Sequence, residues 1–261
     1  LGEPIFSIAS GPSVFTTLSL LGLRESDAAG VEIGDAVVSV DRCELRDNGD
    51  DAADAGIRVG ATGQLNLFES TIAGSGGAGV AVEGGEAFLT NATVALNGGP
   101  ELEVTAGGEL ACDFCTIVHA NDDDPEVSVV AADLRLDSSA IVGDCELTSA
   151  VVQSLGGNLE APGDTCELDP SDDLPSTADP KLAELGQNGG PTSTFLPAAD
   201  SPMVGNADGC TFVDQRIGFR PSESCEIGSV EREATDVATP LFLDGFEQGH
   251  PGAWSATAGA A

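Results

Sequence analysis

The sequence predicts an all-β fold, a right-handed parallel β-helix that ends in an irregular, disulfide-stapled C-terminal capping segment. Two observations carry the prediction. The first is a repeat. Phe6-Ser7-Ile8, Val31-Glu32-Ile33, Ile57-Arg58-Val59, Val80-Ala81-Val82, Leu102-Glu103-Val104 and Val127-Ser128-Val129 share an apolar-x-apolar pattern at steps of 25, 26, 23, 22 and 25 residues. The second is that further columns stay in register with it. Val38-x-Val40, Leu65-x-Leu67, Ala87-x-Leu89, Leu110-x-Cys112 and Leu134-x-Leu136 follow in turn. Each is followed by a small residue (Cys43, Ser70, Ala92, Cys115, Ser139) and, two positions on, an apolar one (Leu45, Ile72, Val94, Ile117, Ile141).

Alternating apolar residues over so short a span are strands with every second side chain inward. With 34 glycines and no long 3.6-residue stripe, helix is excluded. One short strand cannot bury a face, but stacked copies bury a continuous column. Six or seven turns at about 4.8 Å give a rod roughly 30 Å long. Asn48, Ser75, Asn97 and Asp144 stand three residues past the closing apolar position. Such residues tolerate left-handed backbone and bond neighbouring peptides, so they are expected to form a corner ladder. In the turn between those of Asn97 and Asp144, Ala120 takes the position and Asn121 follows it.

After residue 159 the period stops and Pro and Asp become frequent. Residues 1–159 are assigned to the β-helix, 160–231 to a segment wrapping or capping it, and 232–261 to a linker and tail. Cys145 and Cys166 bracket the exit from the repeat, and Cys210 and Cys225 bracket Asp214-Gln215-Arg216. Pairing them as two disulfides would staple both loops at about 3 kcal/mol each and would place the chain in an oxidising compartment. Spacing leaves other connectivities open.

Residues 154–231 also carry specific sequence: Ser154-Leu155-Gly156-Gly157-Asn158-Leu159, Asp179-Pro180-Lys181-Leu182, Asn188-Gly189-Gly190-Pro191-Thr192, Ser201-Pro202, Asp214-Gln215-Arg216, Arg220-Pro221 and Cys225-Glu226-Ile227-Gly228-Ser229-Val230-Glu231. This ordered series resembles secreted bacterial β-helix proteins of the choice-of-anchor Q kind, relatives of polymorphic outer-membrane-protein repeats. The chain departs from that pattern where Ile217 separates Asp214-Gln215-Arg216 from Gly218, and where Met203-Val204-Gly205 follows Ser201-Pro202. The resemblance implies a fold and an extracellular, cell-surface location, not a reaction. The tail Phe242-Leu243-Asp244-Gly245-Phe246-Glu247 resembles a short C-terminal module of secreted proteobacterial proteins.

Charge narrows the partners. Nine Lys and Arg against 44 Asp and Glu leave a net charge of −35, which repels nucleic acid and anionic membranes. No apolar run is long enough for a transmembrane helix. Cys112-x-x-Cys115 lacks the second ligand pair of a zinc site and falls on inward columns, as does Cys43. Asp47-Asn48-Gly49-Asp50-Asp51 and Asn121-Asp122-Asp123-Asp124 are oxygen-rich turns without EF-hand spacing. No cofactor is therefore expected, with Ca²⁺ the single candidate. His119 and His250 have no nucleophile nearby in sequence, and no Gly-x-Ser-x-Gly elbow occurs. Asp214, Arg216 and Arg220 are expected to form a structural ion pair that pins the capping segment.

The function these features favour is a non-catalytic extracellular bacterial surface protein, adhesive or structural. Its partners would be a surface glycan or cell-surface molecule, or further copies of itself joined head to tail into filaments. Leu241-Phe242-Leu243 is the candidate assembly strand. The alternative is a carbohydrate-active β-helix enzyme, a polysaccharide lyase or hydrolase. A groove lined by paired acids, an Arg and an aromatic would favour it; a face covered by the C-terminal segment would count against it.

Overall fold

The computed structural model describes residues 5–19, 22–24, 28–119, 125–169, 171–233 and 236, with backbone alone for 9–19 and 22–24. Within these residues every regular element is a strand, and all the strands pair in parallel. They form a β-solenoid with three faces and seven rungs, about six turns. On the first face lie Ile57–Val59, Val80–Glu83, Leu102–Thr105, Val127–Val130 and Cys145–Thr148. On the second lie Gln64–Phe68, Glu86–Thr90, Glu109–Asp113, Asp133–Asp137 and Val151–Ser154. Two long strands, Phe6–Ser19 and Val31–Asp41, run through both faces without a break. The third face stacks Gly22–Arg24, Glu44–Arg46, Thr71–Ala73, Thr93–Ala95, Thr116–Val118, Ala140–Val142 and Leu159–Ala161.

The inward columns are those of the repeat. Leu65 stacks on Ala87 and Leu110, and Leu67 on Leu89 and Cys112. Leu67, Ile72, Leu89, Ile117, Leu134 and Ile141 are buried in one continuous core, while Glu83 points to solvent and Glu103 is half-buried. Ladder pairing satisfies the backbone and column packing supplies the apolar burial, so each rung depends on its neighbours.

The corners differ in one respect from the sequence expectation. After the third face, the left-handed residues are Asp47, Gly74, Leu96 and Gly143, each one position before Asn48, Ser75, Asn97 and Asp144. Asn48, Ser75 and Asn97 instead point inward and are buried. Asn97 Oδ1 accepts from the Ser75 amide at 2.8 Å, tying one rung to the next. Asn121 lies outside the described residues.

The last rung is closed from within. Cys145 is bonded to Cys166, and Cys166 and Leu168 join the core cluster as a plug. Buried Glu160 accepts from the Thr165 and Cys166 amides at 2.6 and 3.0 Å and holds the plug in place. Leu174 then bridges to Leu159, after which the chain turns back along the rod. No helix among the described residues is long and apolar enough to cross a membrane.

Candidate functional site at the latched corner

The corner between the second and third faces is built the same way on five rungs. One outward residue takes a left-handed φ: Arg42 (53°), Glu69 (43°), Asn91 (49°), Phe114 (56°) and Ser138 (47°). A small buried residue follows, because the chain must pass close to the rung beside it. Where that residue is Ser it also bonds across rungs. Ser70 Oγ accepts from the Cys43 amide at 3.0 Å, and Ser139 Oγ does the same for Cys115. The third-face strand then opens with Glu44, Thr71, Thr93, Thr116 or Ala140.

Residues 192–229 lie along this corner and over the threonine column as a latch. Gln215 is its central bolt and is fully buried. Its Nε2 donates to Thr71 Oγ1 (2.8 Å), Thr192 Oγ1 (2.9 Å) and the Ser70 carbonyl (3.1 Å), and its Oε1 accepts from Thr93 Oγ1 (2.6 Å). Ser193 reaches Thr71 and Glu44, and Ser229 reaches Thr93 and Thr116. Asp208 and Ser138 bond mutually. Gly157 makes room there, since a Cβ on it would collide with the Asp208 amide.

Asp214, Arg216 and Arg220 sit together under this latch. Buried Asp214 accepts from the amides of Arg216, Gly218 and Glu231 at 2.9, 2.8 and 3.0 Å, and pairs with Arg216 at 3.1 Å. Arg216 also bonds the carbonyls of Asn188 and Glu231 and the carboxylate of Asp236. Arg220 takes a different acid: it pairs with Glu231 at 3.1 Å and lies over the buried Phe114 ring at 4.4 Å. Burial lowers the Arg220 pKa against the pull of Glu231 and Asp214. Glu226, buried beside Glu231, is pushed up to about 8, first by burial and then by that neighbouring carboxyl. The disulfide Cys210–Cys225 closes the loop that carries the cluster.

The solvent side of the same corner carries a line of five side chains, three of them acids. Asp41, Phe68, Thr90, Asp113 and Asp137 are stacked in register along the rim of the second face. Asp41 pairs with Arg42 at 2.5 Å. Half-buried Glu69 is pushed up to about 7 by burial and by its hydrogen bond to Asp41. Asp113 and Asp137 are also raised, chiefly by burial. Arg135 pairs with Asp113 at 3.1 Å. Beside this line stands the hairpin of Val213 and Phe219, anchored where the Asn91 side chain donates to the Val213 carbonyl at 2.9 Å. Phe212 and Phe219 project from it, 78% and 73% exposed, with their rings edge to face at 5.1 Å.

Cys43, Cys112 and Cys115 are buried, and burial beside Cys115 drives the Cys112 thiol well above its usual range. His119 Nδ1 lies 3.0 Å from Glu101 Oε1, both buried, and Glu101 also accepts from the Asn97 amide. Asp51 and Asp54 accept from amides of their own acidic turn. Among the described residues no three His, Cys, Asp or Glu side chains converge as metal ligands. Asn121–Asp124, His250 and Leu241-Phe242-Leu243 lie outside the described residues.

The sequence motifs include Gln215, Glu226 and Glu231 without assigning them a role, and give no sign of the Phe212–Phe219 pair. A signal for the first was present: Thr71, Thr93 and Thr116 each precede the closing apolar residue, an unusual hydroxyl column on an outward face. The chain matches no family model, no curated protein and no solved structure.

Proposed function

We propose that this chain is a non-catalytic extracellular surface protein of bacterial origin, of the choice-of-anchor Q kind, with an adhesive or structural role. One observation carries the reading. The most specific polar sequence in the chain, Asp214-Gln215-Arg216 with Arg220, is committed to bonding the latch onto the rod, and the latch lies over the threonine column of the third face. The two disulfides fit an oxidising compartment. Assembly has its own support at the last rung. The ladders of the first and second faces end at Cys145–Thr148 and Val151–Ser154. The inward Leu147, Ala150 and Val152 there are only partly buried, and Val151 is 61% exposed. An apolar edge of this kind accepts strand addition from another copy. The test of the main reading is turnover: the full-length chain, incubated with a broad polysaccharide panel, releases no new reducing ends and no unsaturated products. Turnover abolished by one carboxylate substitution overturns it.

The second reading, a carbohydrate-active enzyme, is favoured by one feature: Glu69 holds its proton near neutrality beside Asp41 and Arg42. Against it stands ion pairing. Glycoside hydrolysis wants two carboxyls flanking the bond, about 5–5.5 Å or 6.5–9.5 Å apart. Among the described residues two acids along this corner are already engaged with cations, Asp41 with Arg42 and Asp113 with Arg135.

A further inference from the structure

The Phe212–Phe219 pair is the part of this surface that packing does not explain. A disulfide closes the loop beneath it, and the Val213–Phe219 bridge aligns its two strands. Asp214 N donates to the Gly218 carbonyl at 2.9 Å, and Arg220 N to the Phe212 carbonyl at 3.2 Å. The rings are therefore held out on a stiff mount, so a ligand that meets them pays little ordering entropy. Large apolar groups displayed rigidly in water mark a contact surface.

The surroundings say what kind of contact. The loop passes Ser138 through Asp208 and Asn91 through Val213, so Phe212 lies along the stretch of corner between those two rungs. The outward rim residues of that stretch are Thr90, Asp113 and Asp137, with Arg135 beside them. Asp113 and Arg135 form a half-exposed fork at 3.1 Å, and Asp137 Oδ1 accepts from Ser138 Oγ at 3.0 Å. A protein interface would surround such rings with aliphatic area and keep charge to its rim. Here the rungs along which the loop runs carry carboxylates, a guanidinium and a hydroxyl on their outward rim. That mixture suits a ligand with apolar C–H faces and a periphery of hydroxyl groups that both donate and accept.

We propose that this corner binds a neutral glycan chain, with sugar rings stacked on Phe212 and Phe219 and their hydroxyls bonded by Thr90, Asp113, Arg135 and Asp137. Uronic acids and sulfated sugars are disfavoured by the acid line and by the net charge of −35. The inference rests on the adhesive form of the function proposed above and names its ligand class.

The test is affinity electrophoresis of the full-length chain in gels containing neutral polysaccharides (mixed-linkage β-glucan, xyloglucan, mannan, starch), with polygalacturonate as the charged control. At least one neutral gel retards the protein and polygalacturonate does not. Phe212→Ala and Phe219→Ala each weaken retardation tenfold or more. Both rings are exposed, so the melting temperature stays within about a degree of the parent, which separates lost binding from lost fold. Retardation in no neutral gel, or variants that bind like the parent, overturns the proposal. A concentration-dependent particle mass that either substitution abolishes overturns it in favour of self-association. Release of new sugar ends from a bound glycan leaves the binding site standing and sinks the non-catalytic reading instead.

Discussion

Replacing Gln215 by Ala removes the bolt of the latch. The Nε2 group has two protons, so it serves two of its acceptors at a time, while Oε1 holds the Thr93 hydroxyl. Three bonds are lost together. At about 1 kcal/mol net each this is roughly 3 kcal/mol, and the Ser70 carbonyl is not stranded, because it also accepts from the Thr93 amide at 3.0 Å. The expected cost to docking of the latch is therefore about 3 kcal/mol. The rod's own ladders and core lose nothing directly, so the loss is local. Amide hydrogen exchange reads it residue by residue. A loss of about 3 kcal/mol speeds opening by about a hundredfold. In the variant, the Ser229 and Glu231 amides should accelerate by at least that factor, while Leu89 and Leu134 in the rungs keep their rates. Gln153→Ala, on the exposed second face, serves as control and should change neither set. Equal acceleration of rung and latch amides, or no acceleration at all, refutes the argument that Gln215 holds a separable element.

Leu67→Ala, in the fully buried column, should lower the urea unfolding free energy by about 2–5 kcal/mol, whereas outward Glu103→Gln should change it by under about 0.5 kcal/mol. Similar losses at the two sites would mean the faces are exchanged. Glu226 keeps its proton up to about 8 in the folded chain, against an ordinary value of 4.5. The stability this provides is complete below 4.5 and is lost as pH rises through about 8. Glu226→Gln should therefore show a smaller fall in urea midpoint between pH 5 and 9 than the parent; an unchanged fall would contradict the buried proton. Serine in place of both Cys210 and Cys225 releases a 15-residue closure. It should cost about 3 kcal/mol, seen as faster proteolytic nicking of the latch with the rod intact. Cys112 and Cys115 should resist alkylation in the native chain and react on unfolding; rapid native labelling would refute their burial.

How far the sequence carried depends on distance along the chain. The rung columns were legible because each inward residue repeats after one turn, so Leu65, Ala87, Leu110 and Leu134 announce themselves by spacing. The left-handed corner residue lies one position before the one that composition predicts. Composition pointed to Asn48 and Asn97, but a left-handed φ at Asp47 and Leu96 is imposed by the turn, and the amide side chains serve the neighbouring rung instead. The latch was legible as a segment but not in its seat. Its contacts join Thr71 to Ser193 and Thr116 to Ser229, 122 and 113 residues apart, and no local pattern encodes such pairings. Arg220 was expected beside Asp214, but Glu231 is its closest acid because Asp214 is already filled by three amides and Arg216. The aromatic pair left no trace in the period, since exposure of Phe212 and Phe219 depends on a hairpin fixed by the latch itself.

The latch has a bearing on time as well as on stability. Its seat is made of single hydroxyls from Thr71, Thr93 and Thr116, spread over three successive rungs, with Asn91, Phe114 and Ser138 along the edge. None of these surfaces exists in an isolated turn. A growing stack of rungs can add one turn at a time, but residues 192–229 can lock only when the middle of the stack is complete and in register. A slipped rung would present the wrong side chain at the wrong height and leave Gln215 without partners. The clasp thus acts as a proofreader of assembly, closing last and rewarding only a correctly counted stack. Refolding should accordingly be biphasic, with strand formation preceding protection of the latch amides.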